Sequence, residues 1–250
     1  MAWGDNSDGQ KNIPAHLPPI VAIAAGAGHN LAIGVDGSIR AWGNNASGQC
    51  DLPAAAADQP LAVAGGDAHS LALLANGMVT AWGDDTYGQT DLPDALTPIY
   101  SSWWWSWPNP NWVPAATITA GRNHNLAILT NGGVVAWGDD SGGQCEIPTG
   151  LTNVIAVAGG YLHSVALRAD GTVLAWGDNT YGQTNIPLGL TNVVSIAAGD
   201  FNTLALLANG RVVGWGDNSY GQNKIPAGVT NVAGIVSGYD HGLALIPAAH

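Results

Sequence analysis

Short apolar runs, each five or six residues long and rich in β-branched and small side chains, recur along the chain at a fixed interval with glycine-bearing turns between them. Val154-Ile155-Ala156-Val157-Ala158-Gly159 is one; His163-Ser164-Val165-Ala166-Leu167 follows, then Asp170-Gly171, then Thr172-Val173-Leu174-Ala175-Trp176-Gly177. Gly182-Gln183 and Ile186-Pro187 complete the unit. Runs of this length and composition, bounded by Asp-Gly, Asn-Gly and Gly-Gln, predict strands joined by hairpins. No stretch of ten or more residues keeps helical spacing without a Gly or Pro to break it, so helices are expected to be minor.

The interval itself is set by a Trp-Gly pair at Trp3, Trp42, Trp82, Trp137, Trp176 and Trp215, with spacings of 39, 40, 55, 39 and 39 residues. Joining the two ends of the chain would put 38 residues between Trp215 and Trp3. A period near 40 filled with strands predicts propeller blades rather than a helical solenoid. The expectation is an all-β, six-bladed β-propeller in one domain spanning 1–250, closed by pairing of the N- and C-terminal strands in a shared blade. The blades run near 20–53, 60–93, 115–148, 153–187 and 192–226, with the sixth made of 231–250 plus 1–14. Such closure removes unpaired sheet edges.

Strand parity then sorts the loops. The Ala-Gly-x-x-His loops and the Gly-Asp-Asn-x-x-Gly-Gln loops are expected on one face, termed upper, and the Asn-Gly turns and inter-blade linkers on the lower. On the upper face the units differ mainly at two positions each: Ala27-Gly28, Asp67-Ala68, Arg122-Asn123, Tyr161-Leu162, Asp200-Phe201 and Tyr239-Asp240. Variation confined to one surface of a repeated scaffold points to binding. Arg122, Tyr161, Leu162, Asp200, Phe201, Tyr239 and Asp240 are therefore the candidate binding residues, with the aromatic members in three consecutive blades forming an arc suited to a protein partner.

One interval is longer than the rest. Residues 99–114 form an insertion between the second and third blades, expected on the lower face, and carry Trp103, Trp104, Trp105, Trp107 and Trp112. Five exposed indoles would present ~1,000 Å² of apolar surface, more than monomers tolerate. Three coverings are open: a plug across the channel mouth, a partner or second subunit, or the faces of sugars or a membrane interface, with Asn109 and Asn111 the polar groups at hand.

Composition narrows the function classes. With 18 acidic residues against 6 basic ones and a formal charge of −12, the chain has no basic cluster to neutralise phosphates, which sets nucleic acid aside and favours a basic protein surface. No apolar run is long enough to span a bilayer as a helix, and no signal peptide is visible. Cys50 and Cys145 occupy equivalent places two blades apart, too far for a disulfide. The recurring His29, His69, His124, His163 and His241, with Asn202 in the sixth place, read as a structural ring rather than a metal site. His69-Ser70 and His163-Ser164 are sequence neighbours whose side chains leave a strand on opposite sides. Neither offers a nucleophile and base within one blade, and a non-catalytic protein without cofactor or metal is expected.

The pattern Ala-Gly-x-x-His-Ser/Asn-x-Ala-Leu, Asp/Asn-Gly, Val, Trp-Gly-Asp-Asn, Tyr-Gly-Gln resembles the repeat of the regulator of chromosome condensation family. The resemblance implies a propeller that acts as a binding scaffold. In repeat length the chain is similar to compact bacterial members, including a propeller-type inhibitor of β-lactamases, so an inhibitor of that kind is an alternative to a general protein-binding or lectin-like role. Relatives of this type usually have seven blades. The family's eukaryotic founder exchanges nucleotide on a small GTPase, and no residue here carries that activity over.

Overall fold

The computed structural model describes residue 2, residues 4–101 and residues 106–247, with side-chain detail omitted for 99–101 and 106–108. Each unit folds as an antiparallel meander of an inner, a middle and an outer strand. The first holds β1 (Ile20–Ala25), β2 (His29–Gly34) and β3 (Ile39–Gly43), and the second holds β4 (Pro60–Gly65), β5 (His69–Leu74) and β6 (Val79–Gly83). The insertion forms its own hairpin, β7 (Ile99–Ser101) with β8 (Ser106–Pro108). The third unit is β9 (Ala115–Ala120), β10 (His124–Leu129) and β11 (Val134–Gly138); the fourth is β12 (Val154–Gly159), β13 (His163–Arg168) and β14 (Val173–Gly177). The fifth is β15 (Val193–Ala198), β16 (Asn202–Leu207) and β17 (Val212–Gly216). The last sheet has two strands, β18 (Gly234–Ser237) and β19 (Gly242–Leu245). In place of a fourth strand each complete unit has the Gly-Gln turn and an extended leg ending in proline, which lacks the N–H that a ladder needs.

The core lies between blades. Five apolar clusters form, one at each contact from the first blade to the sixth: Leu31, Ile33 and Ala72 at the first, Leu71, Ile118 and Leu129 at the second, Leu126, Ile128 and Ala166 at the third. Val165, Leu167 and Ile196 fill the fourth, and Leu204, Leu206 and Ile235 the fifth. The middle strands of the second to fifth blades are buried because each is flanked by two strands of its own sheet and sandwiched by neighbouring blades. Among the described residues no corresponding cluster joins the sixth blade to the first.

Small residues make the close stacking possible. A Cβ added at Gly121 would lie 2.3 Å from Cε1 of His124 and 2.7 Å from the Gly160 carbonyl of the next blade. The same encounter recurs at Gly26, Gly66 and Gly160, and at Gly199 with Asn202 Oδ1 in place of the imidazole. Only hydrogen fits there. At Gly238 the added atom would meet only the imidazole of its own loop, His241.

Loop parity is as the strand order requires. Asp84 N donates to Ala68 O at 2.9 Å and Asp178 N to Leu162 O at 2.8 Å, tying the two kinds of upper loop together. On the opposite face Ala115 N donates to Gly77 O at 2.8 Å, joining a hairpin turn to the linker that carries the insertion.

Of the sixth blade the described residues show the inner and middle strands, β18 and β19. Trp3 and Met1 lie outside the described residues, and β19 has no outer strand among the described ones. Residues 5–14 seat on the first blade as each Gly-Gln turn seats on the blade after it: Gln10 O accepts from Trp42 Nε1 at 3.0 Å and from Asn30 Nδ2 at 2.8 Å.

Candidate binding surface of the upper face

The repeated polar residues form a relay from blade to blade. In the fifth blade Gln183 O accepts both Trp215 Nε1, at 2.9 Å, and Thr203 Oγ1, at 3.0 Å. Because that hydroxyl proton is spent on the carbonyl, the imidazole of His163, 3.1 Å from Thr203 Oγ1, must be the donor through Nε2. The same logic fixes His29 on Ser70 at 2.9 Å, His124 on Ser164 at 3.0 Å, and His69 on Asn125 at 2.7 Å. These four imidazoles are at most 1% exposed. Burial holds the pKa of His29 and His163 down to about 4 and that of His124 to about 3, so they are neutral.

The Ser-His contacts that the sequence could not place within one blade therefore exist between blades, but they are bolts. The serine proton points to a glutamine carbonyl, and each histidine Nδ1 is buried without a partner where a triad would place a carboxylate. Asn202 breaks the series by donating instead to Asn223 Oδ1, at 3.2 Å. His241 is exposed and makes no such link among the described residues.

Above this layer the variable pairs divide by position. First members converge on Arg122. Its Nε lies 3.1 Å from Asp67 Oδ2 and its Nη1 3.8 Å from Asp200 Oδ2. Its guanidinium sits 4.5 Å from the ring centroid of Tyr161 and 5.7 Å from that of Tyr239. Tyr239 Oη reaches Asp67 Oδ1 at 3.4 Å. Five blades thus meet in one cluster of a cation, two carboxylates and two aromatic faces, a combination in which ring quadrupoles and carboxylates both favour the guanidinium.

Second members turn to neighbouring loops. Phe201 packs edge-on to Tyr161, with centroids 5.3 Å apart, and against Tyr181 of the preceding blade at 5.0 Å. Leu162 covers Gly142, and Asp240 stands exposed at the margin. Burial, with Asp240 and Asp67 nearby, raises the Asp200 carboxyl to about 6 despite the opposing pull of Arg122.

The expected arc of Tyr161, Phe201 and Tyr239 is thus brought together with Arg122 and Asp200. Asp67 was visible only as a variable position. Tyr181, Tyr87 and Tyr220 were visible only as members of Tyr-Gly-Gln, yet all three project from upper loops at 52%, 52% and 78% exposure. Their signal was the alternation of Tyr with small residues at that place, Ser47 and Gly142. The loops also carry Asp84, Asp85, Asp139, Asp140, Asp178 and Asp217, so the face is strongly acidic.

The insertion is held at its base. Asn109, 5% exposed, donates its amide to Asp94 O at 2.6 Å and Thr97 O at 2.8 Å, which removes it from the groups available to a sugar. Leu96 inserts into the core between the second and third blades. Trp107 pairs with Tyr100 through the backbone and Trp112 is half-buried. Trp103, Trp104 and Trp105 lie outside the described residues. Both cysteines are free; burial pushes the Cys145 thiol up to about 12 and also raises Cys50, so neither is an activated nucleophile. The Asp5 loop is spent internally on Ser7 and Gln10. Among the described residues no group of three or more metal-binding side chains occurs, and no helix is long and apolar enough to cross a membrane.

Comparison with solved structures places the fold among known propellers. The chain superposes on yeast RCC1 (Prp20) from its complex with Kap60 with a TM-score of 0.72, at 22% identity, over 91% of this chain and 68% of that one. A second structure, of Prp20p from Saccharomyces cerevisiae, whose binding to Gsp1p and histones was studied, gives a TM-score of 0.61 at 16% identity, with coverages of 90% and 82%. The ectodomain of the Physcomitrella patens receptor kinase CR4 gives 0.66 at 26% identity, covering 90% of this chain and 58% of that one. No curated protein sequence matches the chain. The regulator of chromosome condensation (RCC1) repeat matches residues 20–49, 61–89, 116–144, 154–183 and 193–222, and the chain belongs to that family of all-β repeat propellers.

Proposed function

We propose that this propeller is a non-catalytic protein-binding scaffold whose upper face recognises a basic partner surface. The observation that carries the reading is the convergence of Asp67, Arg122, Tyr161, Asp200 and Tyr239, one from each of five blades, on a single cluster ringed by exposed tyrosines. Aromatic side chains offer large contact area at low entropic cost, and Arg122 is already held by two carboxylates, so little ordering is left for the binding step. The surrounding aspartates supply a field that steers a cationic partner. That solved relatives are recorded with protein partners supports the same class of function.

The test is photo-crosslinking in extract of the source cells. A benzoylphenylalanine at Tyr181 is expected to trap a specific adduct that disappears when Phe201→Ala and Tyr239→Ala are combined in a folded protein. The same probe at Asn209, in a lower-face turn, is expected to trap none. Equal adducts from both faces, or an adduct indifferent to the two substitutions, would sink the reading.

A further inference from the structure

The polar ties that join successive blades on the upper side stop at one interface. From the first blade to the fifth each contact carries an imidazole bond, His29 to Ser70, His69 to Asn125, His124 to Ser164 and His163 to Thr203. Each also carries a backbone bond between inner loops: Ala27 N to Gly66 O at 3.1 Å, Asp67 N to Arg122 O at 2.8 Å, Arg122 N to Gly160 O at 3.0 Å and Tyr161 N to Asp200 O at 3.1 Å. Between the fifth blade and the sixth neither kind of bond is made among the described residues.

The sequence differs at both ends of the missing imidazole bond. Asn202 stands in the histidine place, and Gly242 stands where Ser70, Asn125, Ser164 and Thr203 do, so donor and acceptor are changed together. Gly242 also removes the tie that those side chains make to the glutamine carbonyl of the preceding blade, as Thr203 does to Gln183 O at 3.0 Å. The fifth blade turns the freed amide on itself. Asn202 Nδ2 donates to Asn223 Oδ1 at 3.2 Å, and Asn223 Nδ2 to the Asp217 carbonyl at 2.8 Å. Room for Asn223 comes from Gly214, where the other complete blades have Ala41, Ala81, Ala136 and Ala175: a Cβ at 214 would lie 2.8 Å from Asn223 Oδ1.

At its lower end the same interface is intact. Val232 N donates to Gly210 O at 3.2 Å, as Val193 N does to Gly171 O, and Asn231 takes the left-handed conformation, φ 56°, that Asn153 and Asn192 also take. Between the two ends lie apolar contacts of Leu204 and Leu206 with Val232 and Ile235, which are non-directional and fix no orientation. At the upper end the sixth blade is held through Tyr239, whose ring lies 5.7 Å from the Arg122 guanidinium and whose Oη is 3.4 Å from Asp67 Oδ1.

We infer that the sixth blade, β18 with β19, is a flap hinged at Asn231 and Val232 and latched at its upper end by Tyr239 to the Arg122 cluster. An element held by fewer polar ties opens at a lower free energy than the rest of the fold, and a hinge needs only a few residues at the end of an element. Opening draws Tyr239 and Asp240 out of the upper face, so a ligand of the Arg122 cluster would select the closed flap. That consequence rests on the function proposed above; the flap itself does not.

Thiol labelling of the protein alone tests the flap. In a Cys50→Ser, Cys145→Ser background, Leu204→Cys places a thiol under the sixth blade and Val165→Cys places one under the fifth, at sites 2% and 0% exposed. Labelling by a maleimide under native conditions is expected to be about tenfold faster at 204 than at 165 and indifferent to low urea, as local opening is. Tyr239→Ala should raise the rate at 204 several-fold and leave that at 165 unchanged. Asn202→His with Gly242→Ser, which puts back both partners of the missing bond, should slow labelling at 204 toward the rate at 165. Equal rates that rise together with urea, or a rate at 204 that Tyr239→Ala leaves as it was, would overturn the flap. Because no partner is present, that failure would leave the proposed binding to its own crosslinking test.

Discussion

The fourth blade and the sixth have similar middle strands, and the burial of those strands is opposite. Val165 and Leu167 are fully buried, Leu243 and Leu245 largely exposed. The strand sequences, His-Ser-Val-Ala-Leu and His-Gly-Leu-Ala-Leu, do not explain the difference. What differs is the company: the fourth blade has an outer strand and two neighbours, the sixth has one neighbour and no outer strand among the described residues. In a repeat ring most of the hydrophobic stabilisation of a blade is supplied by the adjacent one, so energy is lost at an interface rather than within a unit.

Glycine substitutions are the harshest way to break the contrast. Gly160→Ala would set a methyl 2.2 Å from His163 Cε1 and 2.6 Å from Gly199 O, and neither can retreat inside the stack. The expected loss is about 3 kcal/mol or more, with failure to fold as the extreme. Gly238→Ala makes its one close approach to His241, which is exposed and free to rotate. It should cost less than about 0.5 kcal/mol. Guanidinium midpoints at matched slopes measure both.

A gentler pair sharpens the seam. Ile196→Ala empties a site 9% exposed and should cost about 2–4 kcal/mol. Ile23→Ala, at 77% exposure, should be nearly neutral in dilute protein. A cost equal to that at Ile196 would mean that Ile23 is covered in solution and that the ring closes.

The same contrast shows how far the sequence could be read. Trp-Gly spacing, hairpin punctuation and loop parity were sufficient for the family, for the strands and for the face on which the variable residues sit. Periodicity says that residues are equivalent, however, and it cannot say that equivalent residues have equivalent neighbours. His241 matches His163 letter for letter, yet it faces solvent because the acceptor its position expects, on Asn30, is not brought to it. Arg122 as the hub was hidden for a related reason. Its partners come from blades 55, 78 and 117 residues away in sequence, at Asp67, Asp200 and Tyr239, and only ring curvature makes them neighbours. The exposed tyrosines were masked by being part of the motif itself.

Acid should attack the complete interfaces first. The folded pKa values of His29, His124 and His163 lie near 3 to 4, below the ordinary value of 6.5, because burial penalises their charged form; His69 is lowered for the same reason. Groups lowered in this way bind more protons when unfolded. Their contribution is intact above about pH 6.5 and is lost progressively as pH falls toward 4. Denaturant midpoints should therefore drop steeply over that window. His124→Asn, which installs the residue that position 202 carries naturally, should flatten the drop while lowering stability at pH 7.5 by about 1–2 kcal/mol.

Asp200 works in the opposite direction and on a smaller scale. Its folded pKa, raised to about 6 from the ordinary 3.8, means that the fold prefers it protonated. Acidification through pH 6 relieves a penalty there, whereas the histidines are losing ground over the same range. Arg122 is the group that keeps Asp200 from rising further, so Arg122→Met should move its carboxyl midpoint upward in a carbon-detected titration, and Asp67→Asn should move it down by removing a like charge. The consequence for binding follows from charge alone. Above pH 6 the cluster sets two carboxylates, Asp67 and Asp200, against Arg122; below it Asp200 is neutral, and affinity for a basic partner should weaken several-fold between pH 7.5 and 5. Asp200→Asn should bind at pH 7.5 about as weakly as the natural protein does at pH 5, with the pH dependence largely gone. A steep dependence surviving in that variant would move the titrating group out of the upper-face cluster.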